Sequence, residues 1–316
     1  MSKNKIPERT LGHTGRNISL LGLGTAEIGF TYGIGERHLP SDEEARNLLQ
    51  YAAGMGISYF DTAHAYSLSE ERIGKSGILN DRKVLVGTKC AQFLEKGEKL
   101  SPGEMEARMR SEIEESLAKL GLSTLPLLYL HGGTREDIER GEILAILEKF
   151  RNERKVEYFG ISLRGEDNAL AAVESGFFDV IQVAHSILDQ RMTHRVLPLA
   201  KEKNIGVVNR SVFLKGSLTP LREKLPDELA LLKENADEAE RIARELGTDL
   251  PSLAIRFAIS NDAIATVLVG TNQPEHLESI AEAVEAGPLD EAALRALREL
   301  AIDDSYQVDP ALWPKV

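Results

Sequence analysis

Short apolar bursts rich in β-branched and aromatic residues recur along the chain. They are SLLGLGT (19–25), ISYFDTA (57–63), KVLVGTK (83–89), LPLLYLH (125–131), VEYFGIS (156–162), FDVIQVAH (178–185), IGVVNR (205–210) and AIATVLVG (263–270). Each has strand length and strand composition. The segments between them, such as SDEEARNLLQYAAGMG (41–56) and SPGEMEARMRSEIEESLAKLG (101–121), repeat their apolar positions at helical spacing, open on Ser or acidic residues and stop at Gly. Strands alternating with helices predict parallel βαβ units, and eight such units predict a closed (β/α)8 TIM barrel. RTLGHTGRNISL (9–20) reads as a Gly-containing hairpin before the first barrel strand. No linker-like or low-complexity stretch interrupts the alternation, so residues 1–316 are read as a single domain.

In a parallel barrel every strand points the same way, so the residues at the C-terminal strand ends converge on one face. Asp61, Lys89, His131, Ser162, His185 and Arg210 all stand at the ends of bursts. Five residues beyond Asp61 lies Tyr66. Taken alone, FDTAHAY is also what a turn looks like, with Asp bonding nearby backbone N–H groups and Tyr covering the core. Convergence of the strand ends turns separate polar residues into one candidate constellation.

A net charge of −12 argues against nucleic acid as a partner, since phosphate backbones call for basic patches. The runs EIEES and REDIER read as solvated helix faces. Cys90 is the single cysteine, which excludes an intrachain disulfide and a Cys-rich metal site. His64, His131 and His185 lack the paired spacing of a metal hydrolase, and no metal is expected. The longest apolar runs fall well short of the roughly 18 residues of a membrane helix, and the N-terminus carries no secretory pattern; a cytoplasmic location is expected.

The segments GLGT, FDTAHAYSLSE, VGTK, LLYLH, FGIS, IQV, NRSVFLKGSL and LAIRFAI follow one another in an order that resembles the aldo-keto reductase superfamily over nearly the whole chain. The resemblance implies NAD(P)H-dependent carbonyl reduction, with Asp61, Tyr66, Lys89 and His131 as the catalytic tetrad. The groups themselves suit that chemistry. Hydride transfer to a carbonyl leaves negative charge on its oxygen, which needs a donor to stabilise and then protonate it. A tyrosine has an ordinary pKa of about 10, and a neighbouring cation favours the phenolate and so eases proton donation. Lys89 supplies that cation, Asp61 holds the ammonium, and His131 orients the carbonyl. Two other readings remain open here: Lys89 as the Schiff-base nucleophile of an aldolase, and a cofactor-sensing binding or regulatory subunit on the same fold.

GLGTAE offers Gly22 and Gly24 but has Glu27 in the third glycine position and no following helix signal, so it is not a Rossmann phosphate turn. By resemblance, the cofactor, NADP(H) with NAD(H) as an alternative, would be held by several separate segments. Gly24 and Thr25 follow the first strand. Ser162 and Gln182 would meet the carboxamide, although Leu163 stands where an Asn is usual. Arg210 takes the place of a ring-stacking Tyr, and Ser211, Phe213, Lys215 and Gly216 follow it in a loop. Gly270, Thr271, Gln273 and His276 would meet the adenosine half. Because residues 270–281 contain no Lys or Arg, the usual NADPH preference is expected to be small. A small-molecule carbonyl is the expected substrate. Ala26 and Gly132 stand where small-aldehyde reductases of the family carry aromatic walls, which predicts a roomier floor suited to a bulky polar carbonyl such as a sugar. His64, Phe30, Tyr32, Arg164 and Trp313 are further candidates for the substrate side, Trp313 being equally suited to docking the C-terminal tail. Oligomeric state is not legible.

Overall fold

The computed structural model describes residues 6–31 and 38–314. A two-stranded antiparallel hairpin, β1 (Glu8–Thr10) and β2 (Asn17–Ser19), precedes the barrel and pairs Glu8 with Ser19 and Thr10 with Asn17. The barrel strands follow in chain order: β3 (Leu21–Gly24), β4 (Tyr59–Asp61), β5 (Leu85–Cys90), β6 (Leu125–His131), β7 (Val156–Ser162), β8 (Val180–Ala184), β9 (Gly206–Arg210) and β10 (Thr266–Gly270). Each pairs in parallel with the next, and β10 closes onto β3. This is the (β/α)8 barrel that the alternation of bursts predicts, and the hairpin is in its expected place.

The helices begin where their sequence says they should. Ser41 and Ser101 each accept from the backbone N–H three residues on, while Glu44 and Glu104 reach back to the Ser backbone, giving two capping boxes for the helices Asp42–Gly54 and Pro102–Leu120. Gly121 ends the second in a left-handed conformation at φ 70°. Among the described residues no helix is long and apolar enough to cross a membrane.

Side chains alternate between the barrel interior and the helix layer with period two. Tyr59, Leu85, Leu127, Tyr129, Val180, Val208 and Leu268 form one buried cluster in the lower interior, joined by Leu11 and Ile18 of the hairpin, which plugs that end. The Tyr59 and Tyr129 hydroxyls bond each other at 2.8 Å. Glycine is needed beside these rings: a Cβ on Gly87 would stand 2.5 Å from the Tyr59 hydroxyl, and one on Gly160 would stand 2.4 Å from the Tyr129 ring. Stepping on by two or four residues from this layer reaches Asp61, Lys89, His131, Gln182 and Arg210, so the alternation that fills the bottom also aims these polar groups into the top.

Candidate active site

Lys89 is 1% exposed, and its ammonium donates to Asp61 Oδ2 at 2.5 Å and to the Thr62 carbonyl at 2.9 Å. Burial works to lower its pKa, but the Asp61 carboxylate, together with Tyr66, outweighs that and leaves it raised, so the group is a cation at neutral pH. The other Asp61 oxygen accepts from Gln182 Nε2 at 2.6 Å, and Gln182 in turn accepts from the Ser162 hydroxyl at 2.9 Å. A buried ion pair needs such additional hydrogen bonds to offset its desolvation.

The Lys89 ammonium lies 5.0 Å from the centre of the Tyr66 ring, and the His131 ring meets Tyr66 edge-on, centres 5.8 Å apart at 81°. Burial first, then the positive charges of Lys89, Arg210 and Arg164, lowers His131 to about 3. His131 is therefore a neutral imidazole in the physiological range. Its Nδ1 is buried without a hydrogen-bond partner.

The turn that carries Tyr66 is fixed by close contacts. The Thr25 hydroxyl donates to the Asp61 carbonyl at 2.8 Å and lies 2.6 Å from the Ser69 hydroxyl, which accepts from the Thr62 hydroxyl at 2.8 Å. The Tyr66 carbonyl packs onto Gly29 so tightly that a Cβ there would come within 2.0 Å of it.

Above these groups opens a cleft of about 930 Å³. Asp61, Tyr66 and His131 line one end, with Lys89 buried beneath. The wall continues through Gly24, Thr25, Ser162, Gln182 and Arg210 to Ser211, Phe213, Lys215 and Gly216, and reaches Gly270, Thr271, Gln273 and His276 at the far end. The first and last of these segments are adjacent because Gly24 pairs in register with Gly270. Ser211, Leu214, Lys215 and Gly216 all have positive φ, between 45° and 94°, which folds this loop sharply after β9. Arg210 donates to the Leu163 carbonyl at 2.9 Å, and burial followed by the charge of Arg164 lowers its pKa.

Of the substrate-side candidates, Ala26, Gly132 and Arg164 line the cleft, and Phe30, His64 and Trp313 do not. Phe30 packs against the Tyr66 ring with centres 5.8 Å apart. His64 points away to Glu115, 3.0 Å from its carboxylate. Trp313 docks the tail: it is 7% exposed within a second apolar cluster, and its indole donates to the Gln307 carbonyl at 3.1 Å. Tyr32 lies outside the described residues. His185 falls one position beyond β8 and is buried against Phe257, ring centres 5.4 Å apart, so it does not join the other strand-end groups.

Residues not anticipated from sequence also line the cleft, among them Glu27, Glu95, Lys224 and Asp309. Lys224 sits in a short 3-10 helix, Pro220–Lys224, whose lack of periodicity hides its placement. Glu95 ends the four-residue helix Gln92–Glu95 on the loop after β5. A loop following a barrel strand was the available signal for it.

A family model described as the aldo/keto reductase family matches residues 20–302. The chain is 33% identical to a D-threo-aldose 1-dehydrogenase of Pseudomonas over 85% of its own length and 90% of that protein's. It is 30% identical to an L-galactose dehydrogenase of Arabidopsis thaliana, covering 89% and 88%. In fold it is similar to an aldo-keto reductase of Bacillus halodurans in its holo form, with a TM-score of 0.74 at 24% identity over 96% of this chain and 99% of that one. Together with a closed parallel barrel whose polar groups gather at the C-terminal strand ends, these matches show that the chain belongs to the aldo/keto reductase family.

Proposed function

We propose that the protein is a nicotinamide-dependent oxidoreductase that interconverts a carbonyl and an alcohol, with Tyr66 as the proton donor to the carbonyl oxygen. The observation that carries this reading is the Lys89 ammonium, held by Asp61 at 2.5 Å and standing 5.0 Å from the Tyr66 ring at the inner end of a deep cleft.

The cleft fits a dinucleotide. Arg210, Lys215 and Lys224 line it and answer phosphate charge, and the left-handed loop after β9 brings its backbone to the wall. Ser162 and Gln182 stand beside the inner end, and Thr271, Gln273 and His276 stand at the outer one. When bound, the nicotinamide supplies the hydride. The protein's part is the proton and the orientation. Tyr66 gives its proton to the oxygen as charge develops there, and the fixed Lys89 charge stabilises the phenolate that remains. Asp61 keeps that cation in place, with its second oxygen occupied by Gln182. Neutral His131 orients the substrate oxygen by a hydrogen bond without competing as an acid. In the reverse direction the Tyr66 phenolate takes the proton of an alcohol or lactol. Both relatives named above are sugar dehydrogenases, which supports a hydroxylated substrate.

The aldolase reading finds less support. A Schiff base requires a neutral, accessible amine, whereas Lys89 is buried, ion-paired and raised in pKa. The test is Tyr66→Phe. Cofactor titration by fluorescence should be unchanged, while turnover falls on the order of 10²-fold or more, the usual effect of losing a positioned proton donor. Unchanged turnover removes Tyr66 from this role; cofactor binding without any turnover in the unmodified protein favours the cofactor-sensing alternative.

A further inference from the structure

The absence of a side chain at Gly132 does not leave open space. Gly132 has φ 108°, and a Cβ there would stand 2.8 Å from the Glu95 Cβ and 2.9 Å from the Glu95 backbone N and Cα. The helix Gln92–Glu95 occupies the volume that a wall residue at 132 would need, and it brings a carboxylate rather than a ring. Its placement is firm. Ala91, left-handed at φ 62°, donates its N–H to Glu112 at 2.6 Å, and Phe93 is fully buried. Glu95 Oε1 accepts from Arg164 at 2.7 Å, and Arg164 also donates to Asp309 of the C-terminal tail at 3.1 Å. Glu95 Oε2 lies 3.9 Å from His131 Nε2, beyond hydrogen-bond range.

The geometry points to Glu95 and Arg164 as the groups that recognise hydroxyls next to the reacting carbon, making the substrate class a polyhydroxylated aldehyde or its cyclic lactol. This assignment rests on the oxidoreductase reading of the cleft. A carboxylate accepts from hydroxyl donors and a guanidinium donates to hydroxyl oxygens, so the pair offers both halves of a sugar's hydrogen-bonding pattern. Glu95 Oε2 and His131 Nε2 both line the cleft and stand close enough for one oxygen to reach both from the cleft side; a hydroxyl vicinal to the carbonyl approaches there and donates to the carboxylate. An unhydroxylated substrate in the same place would cover the carboxylate oxygen, turned toward the His131 imidazole, without offering it a donor. Sites built to bond a substrate hydroxyl reject analogues lacking it more strongly than apolar pockets reject one methylene.

The experiment compares a panel of aldopentoses and aldohexoses with tetrahydropyran-2-ol, the same lactol ring without the other hydroxyls, assayed in one direction with one cofactor. The unmodified protein should favour its best aldose by kcat/KM. In Glu95→Ala and in Arg164→Met the ratio of that kcat/KM to the value for tetrahydropyran-2-ol should fall tenfold or more, with the change concentrated in KM for the aldose. Cofactor Kd, measured on each variant, reports an intact cleft. A preference of the unmodified protein for tetrahydropyran-2-ol, or a ratio unmoved by both substitutions, overturns the assignment. Turnover of tetrahydropyran-2-ol but of no aldose would refute the substrate class and leave the oxidoreductase reading standing. Turnover of neither, with no cofactor bound, removes both.

Discussion

At the residue scale, the inner end of the cleft is a chain of mutual dependence. Asp61 is satisfied by Lys89 on one oxygen and by Gln182 on the other. Removing the cation alone strands a buried carboxylate, so Lys89→Met should destabilise the protein by about 3 kcal/mol. Adding Asp61→Asn should return part of that loss, because the uncompensated charge goes with it. Urea denaturation of the two single variants and the double variant measures the coupling, and simple additivity would contradict the picture. His131, held near 3 by burial and neighbouring positive charge, should contribute no inflection to the pH profile of kcat between pH 5 and 8. An inflection near 6.5 that disappears in His131→Asn would show an ordinary, solvated imidazole instead. Asp61, Tyr66, Lys89 and His131 were readable because strand-end position and local segment order point at them together. Trp313, His64 and His185 were not. Each is a polar or aromatic residue in an irregular segment, and there sequence carries no information on which way a side chain turns.

At the scale of elements, strand and helix patterning was legible because burial in a barrel enforces it, with periods of two and of three to four and with capping Ser–Glu pairs at 41–44 and 101–104. What was hidden lies in the short elements that have too few residues to show a period: the helix Gln92–Glu95, which supplies Glu95, and the excursion after β9, which supplies Lys224. A missing ring at Gly132 does not make the floor roomy there, because this helix fills the place. Gly29 shows a similar dependence. Its φ of −99° is open to any residue, so only space explains it, and that space is taken by the Tyr66 carbonyl. Gly29→Ala should push the Tyr66 turn outward. The expected result is a stability loss of about 1–3 kcal/mol together with a fall in kcat, while cofactor Kd changes little. An equal loss of cofactor affinity would indicate general disruption of the β3 end rather than displacement of Tyr66.

At the scale of the whole molecule, two largely enclosed histidines link folding to acidity. His131 is lowered to about 3 and His185 to about 4, in both cases chiefly by burial. Below an ordinary value near 6.5 the unfolded chain binds protons that the folded one refuses, so stability falls as pH falls from about 6.5 toward 4. Each histidine contributes up to about 1.4 kcal/mol per pH unit in that window, and the drop between pH 6 and 5 should be on the order of 2 kcal/mol. Urea midpoints at the two values check it. His185→Phe, which keeps a ring against Phe257, should roughly halve the decrement, and a decrement unchanged in that variant would contradict the linkage. The barrel itself is what gathers a carboxylate, an ammonium, a phenol and an imidazole from distant parts of the chain around one deep cleft. The proposal that this cleft moves hydride between a nicotinamide and a carbonyl carbon is tested most directly by isotope transfer. The purified protein is given a reduced cofactor deuterated at both C4 positions and a reducible aldose or lactol, and the product is examined by mass spectrometry and NMR. A single deuterium on the carbinol carbon formed from the carbonyl is the expected result. Product without deuterium at that carbon, or bound cofactor that is never oxidised by any member of the panel, would contradict it.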